Sequence, residues 1–169
     1  MKVIIWIAES TWPATVDAAT AWVPTGADLV LLHVTGDDTA ATAHGAFAGL
    51  LGRHHSHERD PGDRVETMSA TAAEELLAAA TERLARPATR LQRHGRVEHE
   101  VVRATGGADL LICARDGDPS RLGPHSLAPP TRFVVDHAPC PVLLVWPRPA
   151  PGVDTIPPAP YHPPPPPPH

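Results

Sequence analysis

The densest group of side chains able to bind a ligand lies in residues 115–126, a segment that also contains glycine and proline. It follows the apolar run 109–114, and open α/β sheets bind ligands beyond the carboxyl ends of their strands. Arginine pairs in bidentate fashion with phosphate or carboxylate, serine donates a hydroxyl, and glycine allows close backbone approach. The candidate ligand-binding residues are therefore Arg115, Gly117, Ser120, Arg121, Gly123 and Ser126. The alternative is a structural loop whose Arg and Asp residues pair with one another.

Four histidines form a second group: His44, His54, His55 and His57. Neutral imidazoles bind zinc, nickel and copper. The group contains no cysteine and has no recognised ligand spacing, so the pattern favours a solvated loop and predicts no tight metal site.

No catalytic residue is predicted. The spacing shows no Ser-His-Asp, Cys-His or paired-carboxylate arrangement. Ser10 is interpreted as a helix cap, and His33 and His137 as hydrogen-bonded structural residues at the edges of apolar elements. The same patterns place three tryptophans in the core: Trp6, Trp12 and Trp22.

Composition narrows the class of protein. The chain has 169 residues, 42% hydrophobic and 20% charged, with a formal net charge of -5 and no basic cluster suited to nucleic acid. No apolar segment is long enough to cross a bilayer, and the N-terminus does not have a signal-peptide pattern. Cys113 and Cys140 are too few for a disulfide framework and fall at opposite ends of the predicted sheet. We expect a cytoplasmic protein with neither a membrane nor a nucleic-acid partner.

Apolar runs alternate with helical patterns, which predicts an α/β fold with an open, doubly wound, parallel sheet. The predicted strands are 2–8, 28–34, 88–93, 108–114 and 142–146. A helix is expected at 39–51, and another at about 65–86. The second helix is predicted to bury Val65, Met68, Ala72, Leu76, Ala80 and Leu84.

The C-terminal segment differs from the rest in composition. From Pro147 onward, 12 of 23 residues are proline. Such a segment cannot build a core, so we expect a single domain over 1–147 and a disordered, partly polyproline II tail over 148–169. An adaptor function, in which this tail recruits a partner, stays open.

One motif resembles a known family. The sequence Asp-His-Ala-Pro-Cys-Pro-Val-Leu-Leu-Val at 136–145 resembles the C-terminal end of universal stress proteins, and Gly-Ala-Asp-Leu-Leu-Ile at 107–112 is similar to their fourth strand. The resemblance covers about residues 2–147. It implies a Rossmann-like sheet of the adenine nucleotide alpha hydrolase type with strand order 3-2-1-4-5. It also implies a stress-response role and a homodimer formed through the last strand, Val142–Trp146.

The resemblance also bears on nucleotide binding. Family members that bind ATP carry an acidic residue after strand one and, after strand four, Gly, two residues, Gly, nine residues, then Gly followed by Ser or Thr. Aligned back from His137, these positions hold Ala8, Arg115, Asp118, Ala128 and Pro129. The resemblance therefore implies a degenerate loop and a non-catalytic binding protein without a cofactor. The alternative is an ATP-binding protein that uses Arg115 and Arg121 for phosphate contacts.

Overall fold

The structure is a computed structural model that describes residues 1–36 and 61–158; of residues 61–67 it describes the backbone alone. The strands in this part of the chain are β1 (Lys2–Trp6), β2 (Asp28–Thr35), β3 (Thr89–His94), β4 (Leu110–Ala114) and β5 (Val142–Val145). The helices are α1 (Trp12–Trp22), α2 (Pro61–Leu84), α3 (Val97–Ala104) and α4 (Pro129–His137). Two short 3-10 turns cover Pro124–Ser126 and Val153–Thr155. The predicted helix at 39–51 lies outside the described residues.

All five strands pair in parallel in the order β3-β2-β1-β4-β5, which confirms the predicted fold and strand order. β1 is central, with Ile4 opposite both Val30 of β2 and Leu111 of β4. The strands are shorter than predicted at several ends. After β1 the chain turns at Ala8, whose carbonyl oxygen accepts from the backbone N–H groups of Thr11 and Trp12.

Two apolar layers explain why β1 is continuously hydrophobic. Val3, Ile5 and Ile7 face the layer formed by α1 and α2, whereas Ile4 and Trp6 face the layer that contains α3 and α4. A strand with helices on both faces has no solvated side, so its sequence does not alternate between apolar and polar residues.

The buried face of α2 agrees with the prediction at Ala80 and Leu84 and differs from it towards the start of the helix. Helix α2 buries Ala73, Leu77, Ala80 and Leu84, whereas the side chain of Met68 is 73% exposed. From Met68 onward the predicted set advanced four residues at each step, which rotates around a helix of 3.6 residues per turn. The observed set alternates steps of four and three residues and therefore stays on one face.

Trp22 also differs from its prediction, since its side chain is 76% exposed while that of Trp6 is 7% exposed. Helix α1 ends at Trp22, and Val23 then adopts an extended backbone and is buried. The guanidinium of Arg86 donates to the carbonyl oxygens of Val23 and Pro24, at 3.0 and 2.6 Å. The contact of α1 with the core is thus completed by Val23, and Trp22 points away from it.

The cysteines and His33 are structural, as predicted. Cys113 and Cys140 are both free thiols, and burial raises the pKa of the Cys113 thiol to about 12. The imidazole of the buried residue His33 hydrogen-bonds through Nδ1 to the carbonyl oxygen of Ile7 at 2.8 Å. Within the described ranges, no helix is both long and apolar enough to span a membrane.

The burial of α2 yields a stability prediction. Leu77→Ala removes a buried side chain and leaves a cavity, so we expect it to lower the free energy of unfolding by about 2–5 kcal/mol. Met68→Ala, on the exposed side of the same helix, serves as the matched control and is expected to stay within about 0.5 kcal/mol of the parent. Urea denaturation followed by circular dichroism measures both. Equal losses in the two variants would contradict the observed helix face.

Candidate functional site

The candidate site is the connection between β4 and α4, at the carboxyl end of the sheet. Because β1 pairs with β4, the connection between β1 and α1 lies beside it. Together with the residues that follow β5, these segments enclose a small cavity of about 160 Å³. Its lining residues are Ser10, Thr11, Arg115, Asp116, Gly117, Pro119, Ser126, Trp146, Pro147 and Arg148.

The loop folds back on itself through backbone hydrogen bonds. The backbone N–H of Gly117 donates to the carbonyl oxygen of Ser126 at 3.1 Å. The backbone N–H of Asp118 donates to the carbonyl oxygen of His125 at 2.8 Å. A Cβ at residue 117 would lie 2.8 Å from the carbonyl carbon of Ser126, closer than packing allows. Gly117 is therefore required for contact between the two arms of the loop, and its N–H is already used.

Asp116 links this loop to α4. Its carboxylate accepts from the backbone N–H of Ala128 at 2.9 Å and from the Thr131 hydroxyl at 2.7 Å. The helix begins with Pro129 and Pro130, which have no N–H, and Ala128 at the N-cap position has no side-chain acceptor. Asp116 thus supplies the anionic cap that α4 does not have in its own sequence.

Arg115 is held at the wall of the cavity. One of its guanidinium nitrogens donates to the hydroxyl of Ser126, and the guanidinium carbon lies 4.8 Å from the centre of the Trp146 ring. Such a cation–π contact orients the side chain. Ser126 is buried and donates its own hydroxyl to the carbonyl oxygen of Gly123 at 2.6 Å.

Arg121 belongs to a separate cluster. Its Nε lies 3.3 Å from the Asp118 carboxylate. Asp118 also accepts from the hydroxyl and the backbone N–H of Ser120, at 2.6 and 2.9 Å. These Ser120 hydrogen bonds, together with the charge of Arg121, lower the pKa of Asp118. The positive charge of Arg121 is therefore compensated within the loop.

The structure thus divides the six predicted residues. Arg115, Gly117 and Ser126 line one cavity, whereas Ser120, Arg121 and Gly123 do not line it. Gly123 has a φ of +121°, which favours glycine, so its role is in the turn. The alternative interpretation was that Arg and Asp residues pair within the loop. Arg121 and Asp118 form such a pair.

Two residues of this region, Asp116 and Trp146, were not predicted from the sequence. Asp116 was not recognised as a cap, because its partners Ala128 and Thr131 are 12 and 15 positions away. The sequence does contain one indication of such a cap. Ala128, the residue before Pro129, has no side chain that could cap the helix, so an acceptor from elsewhere is required. Trp146 was assigned to the last strand, and its contact with Arg115 depends on the pairing of β4 with β5.

The first part of the proline-rich segment also contacts the loop. Residues 148–158 include a 3-10 turn, and the Thr155 hydroxyl accepts from the N–H of Leu122 at 3.0 Å. The same hydroxyl donates to the carbonyl oxygen of Gly152 at 2.6 Å. The expectation of disorder therefore does not hold for 148–158. It stays a prediction for 159–169, which lie outside the described residues.

The histidine predictions have different outcomes. His44, His54, His55 and His57 lie outside the described residues, so the prediction of no tight metal site stays a prediction. His137 has a structural contact as expected, since its Nδ1 hydrogen-bonds to the carbonyl oxygen of Phe133 at 2.8 Å. Its ring also stacks on that of Phe133, with the ring centres 4.0 Å apart.

The fold and this site define a doubly wound α/β domain with a polar loop after the fourth strand. Comparison with known sequences matches residues 9–145 to the universal stress protein family. The chain belongs to that family. No curated protein matches the sequence significantly.

Solved structures show the same fold at low sequence identity. A universal stress protein from Lactobacillus plantarum is 18% identical, with a TM-score of 0.59, and the match covers 85% of this chain and 96% of that one. A universal stress protein in complex with cAMP is 14% identical, with a TM-score of 0.53 and coverage of 88% and 98%. An Arabidopsis thaliana family protein with AMP bound is 15% identical, with a TM-score of 0.52 and coverage of 93% and 95%.

The cap on α4 yields the second prediction. Asp116→Ala leaves the buried Thr131 hydroxyl and the Ala128 N–H without this acceptor, so we expect a loss of about 1–3 kcal/mol in unfolding free energy. Asp116→Asn keeps one acceptor oxygen and should lose less. Asp136→Ala, on the exposed side of the same helix, is the control and should change stability by less than about 0.5 kcal/mol. If Asp116→Ala and Asp136→Ala had the same unfolding free energy in urea denaturation, Asp116 would not be a cap.

Proposed function

We propose that the protein is a non-catalytic, cytoplasmic member of the universal stress protein family that acts in regulation by binding, with a ligand loop unsuited to ATP. Its two free thiols fit a reducing compartment. The family's nucleotide-binding members use glycine N–H groups after strand four to surround phosphates. In this chain Arg115, Asp118 and Ala128 occupy the glycine positions, and Pro129 replaces the hydroxyl residue.

The observation that carries this proposal is the contact of Asp116 with α4. A helix N-terminus attracts phosphate through its free N–H groups and the positive end of its dipole. Here Ala128 already donates to a carboxylate, and Pro129 and Pro130 have no N–H. A phosphate at this helix end would meet the negative charge of Asp116 and few donors.

The size of the cavity gives independent support. Pockets for small organic ligands are roughly 300–1,000 Å³. The cavity beside Arg115 is about 160 Å³, and the backbone contacts of Gly117 close the loop on one side. A nucleotide would enter only after those contacts opened.

A second candidate, an adenine-nucleotide-binding protein, is favoured by Arg115. Its guanidinium lines the cavity and is oriented by Trp146. Arg121 would have to leave Asp118, and an exposed ion pair of this kind contributes only about 0–1 kcal/mol. The relatives with AMP and cAMP bound make nucleotide the ligand to test. Mass spectrometry of small molecules that co-purify with the native protein would identify another ligand.

Calorimetry with Mg-ATP separates the two candidates. Each lost hydrogen bond to phosphate costs on the order of 1.5–3 kcal/mol, so two or three losses weaken binding by roughly a hundredfold or more. We therefore expect a dissociation constant no tighter than high micromolar and no measurable hydrolysis. A low-micromolar constant that Arg115→Ala and Arg121→Ala abolish, but the distant control Arg103→Ala does not, would establish the second candidate instead.

We also propose a homodimer formed through β5. This strand is at one edge of the sheet, and an exposed apolar edge pairs readily with another chain. The carbonyl oxygens of Pro141 and Val145 accept from β4. Since backbone direction alternates along a strand, the N–H groups of Val142 and Leu144 point to the free edge.

Light scattering tests the dimer. We expect twice the chain mass at micromolar concentration and a monomer for Leu144→Pro, since proline removes an edge donor and is tolerated where the N–H faces solvent. Leu144→Val keeps the N–H and should remain dimeric. Circular dichroism checks that each variant is folded. A monomeric parent protein would refute the proposal.

A further inference from the structure

A groove with aromatic walls runs along α4, outside the cavity beside Arg115. Its volume is about 570 Å³. It is lined by Gly117, His125, Leu127, Ala128, Pro129, Arg132, Phe133, Asp136 and His137. The rings of Phe133 and His137 stack with an interplanar angle of 10°, and His99 of α3 stacks on the other side of Phe133, with the ring centres 5.1 Å apart.

The chemistry of this groove suits a proline-rich segment. Polyproline II peptides bind grooves lined by aromatic rings, because the rings pack against proline and the peptide is already extended before it binds. The groove carries one carboxylate and one guanidinium, from Asp136 and Arg132, besides two imidazoles. An occupant without Asp, Glu, Lys or Arg is therefore compatible with it.

The chain contains such a segment close to the groove. The hydrogen bond between Leu122 and Thr155 holds residues 152–156 against the loop, and Pro157 lies beside Gly123. Gly123 is two residues from His125, which lines the groove. Residues 159–169 then follow, with Tyr161, His162 and six consecutive prolines at 163–168.

The length of this segment is sufficient to occupy the groove. Eleven residues in a polyproline II conformation span roughly 34 Å at about 3.1 Å per residue. The nine residues of α4 span about 14 Å at 1.5 Å per residue. The tail can therefore reach from Pro157 along the whole helix.

We infer that residues 159–169 bind in cis to the groove that is lined by Phe133 and His137. Tethering to the loop raises the effective concentration of the tail to about 1 mM, so a weak contact is enough to keep the groove occupied. A protein that binds the proline tail must then compete with the groove. This inference goes beyond the proposed function and does not depend on nucleotide binding.

Tyr161 is the single tyrosine of the chain, which makes its ring a unique NMR probe. In the full-length protein we expect nuclear Overhauser contacts between the Tyr161 ring and the rings of Phe133 and His137. His137→Ala, at an exposed position, should remove them, as should a full-length variant with serine at 163–168. Trp22→Ala removes another exposed aromatic ring, from α1 on the other face of the sheet, and should leave these contacts unchanged.

A synthetic peptide of residues 158–169 provides the second measurement, by fluorescence anisotropy. For an intrinsic dissociation constant near 100 μM, an effective concentration of about 1 mM weakens apparent peptide binding to the parent protein about tenfold relative to the serine variant. Equal affinity for both proteins, with no Tyr161 contacts, would overturn the inference. If the Tyr161 contacts disappeared on dilution, the tail would bind to a second copy of the chain, and binding in cis would also be overturned.

Discussion

The carboxylate of Asp116 joins the carboxyl end of β4 to the first turn of α4, and the shape of the ligand loop depends on this link. The helix starts with two prolines and has no capping side chain of its own, so its end requires an acceptor from elsewhere. Asp116 meets this requirement at Ala128 and Thr131. The two arms of the loop are then close enough for Gly117 to pack against residues 125–127.

This arrangement has a direct consequence for function. The same helix end that attracts phosphate in glycine-rich loops is occupied here by a carboxylate of the chain itself. Arg115 remains at the cavity wall, but it is held by Ser126 and Trp146. The donors of this loop are thus used within the chain, since the N–H of Gly117 donates to Ser126 and that of Ala128 donates to Asp116.

The segment after β5 lies beyond the residues that match the family. The family match ends at residue 145, and the following residues return to the loop through Thr155. One end of the sheet thus carries the ligand cavity, the aromatic groove on α4 and the start of the proline tail. Ligand binding, tail binding and partner recruitment would all act on neighbouring surfaces.

Much of the fold follows from the sequence alone. The central strands β1, β2 and β4 are largely apolar because helices cover both faces of the sheet. The alternation of such runs with helical patterns made the five parallel strands predictable from the order of elements. Local geometry was harder to predict. Ala80 and Leu84 of α2 are buried as predicted, but Met68 and Ala72 are exposed because repeated steps of four residues drift around the helix. The prediction for Trp22 was wrong because Val23 takes its place in the core.

The position of the candidate site was predictable from the sequence. The residues that line it were predictable only in part. The sequence by itself determined that the polar loop follows a buried strand, and Arg115, Gly117 and Ser126 do line a common cavity. The pair between Arg121 and Asp118 is local, three residues apart, and the sequence left open which of these Arg and Asp residues would pair. The cap that Asp116 provides for α4 depends on the tertiary structure, because its partners are 12 and 15 residues away and the contacts form only when the loop closes between β4 and α4.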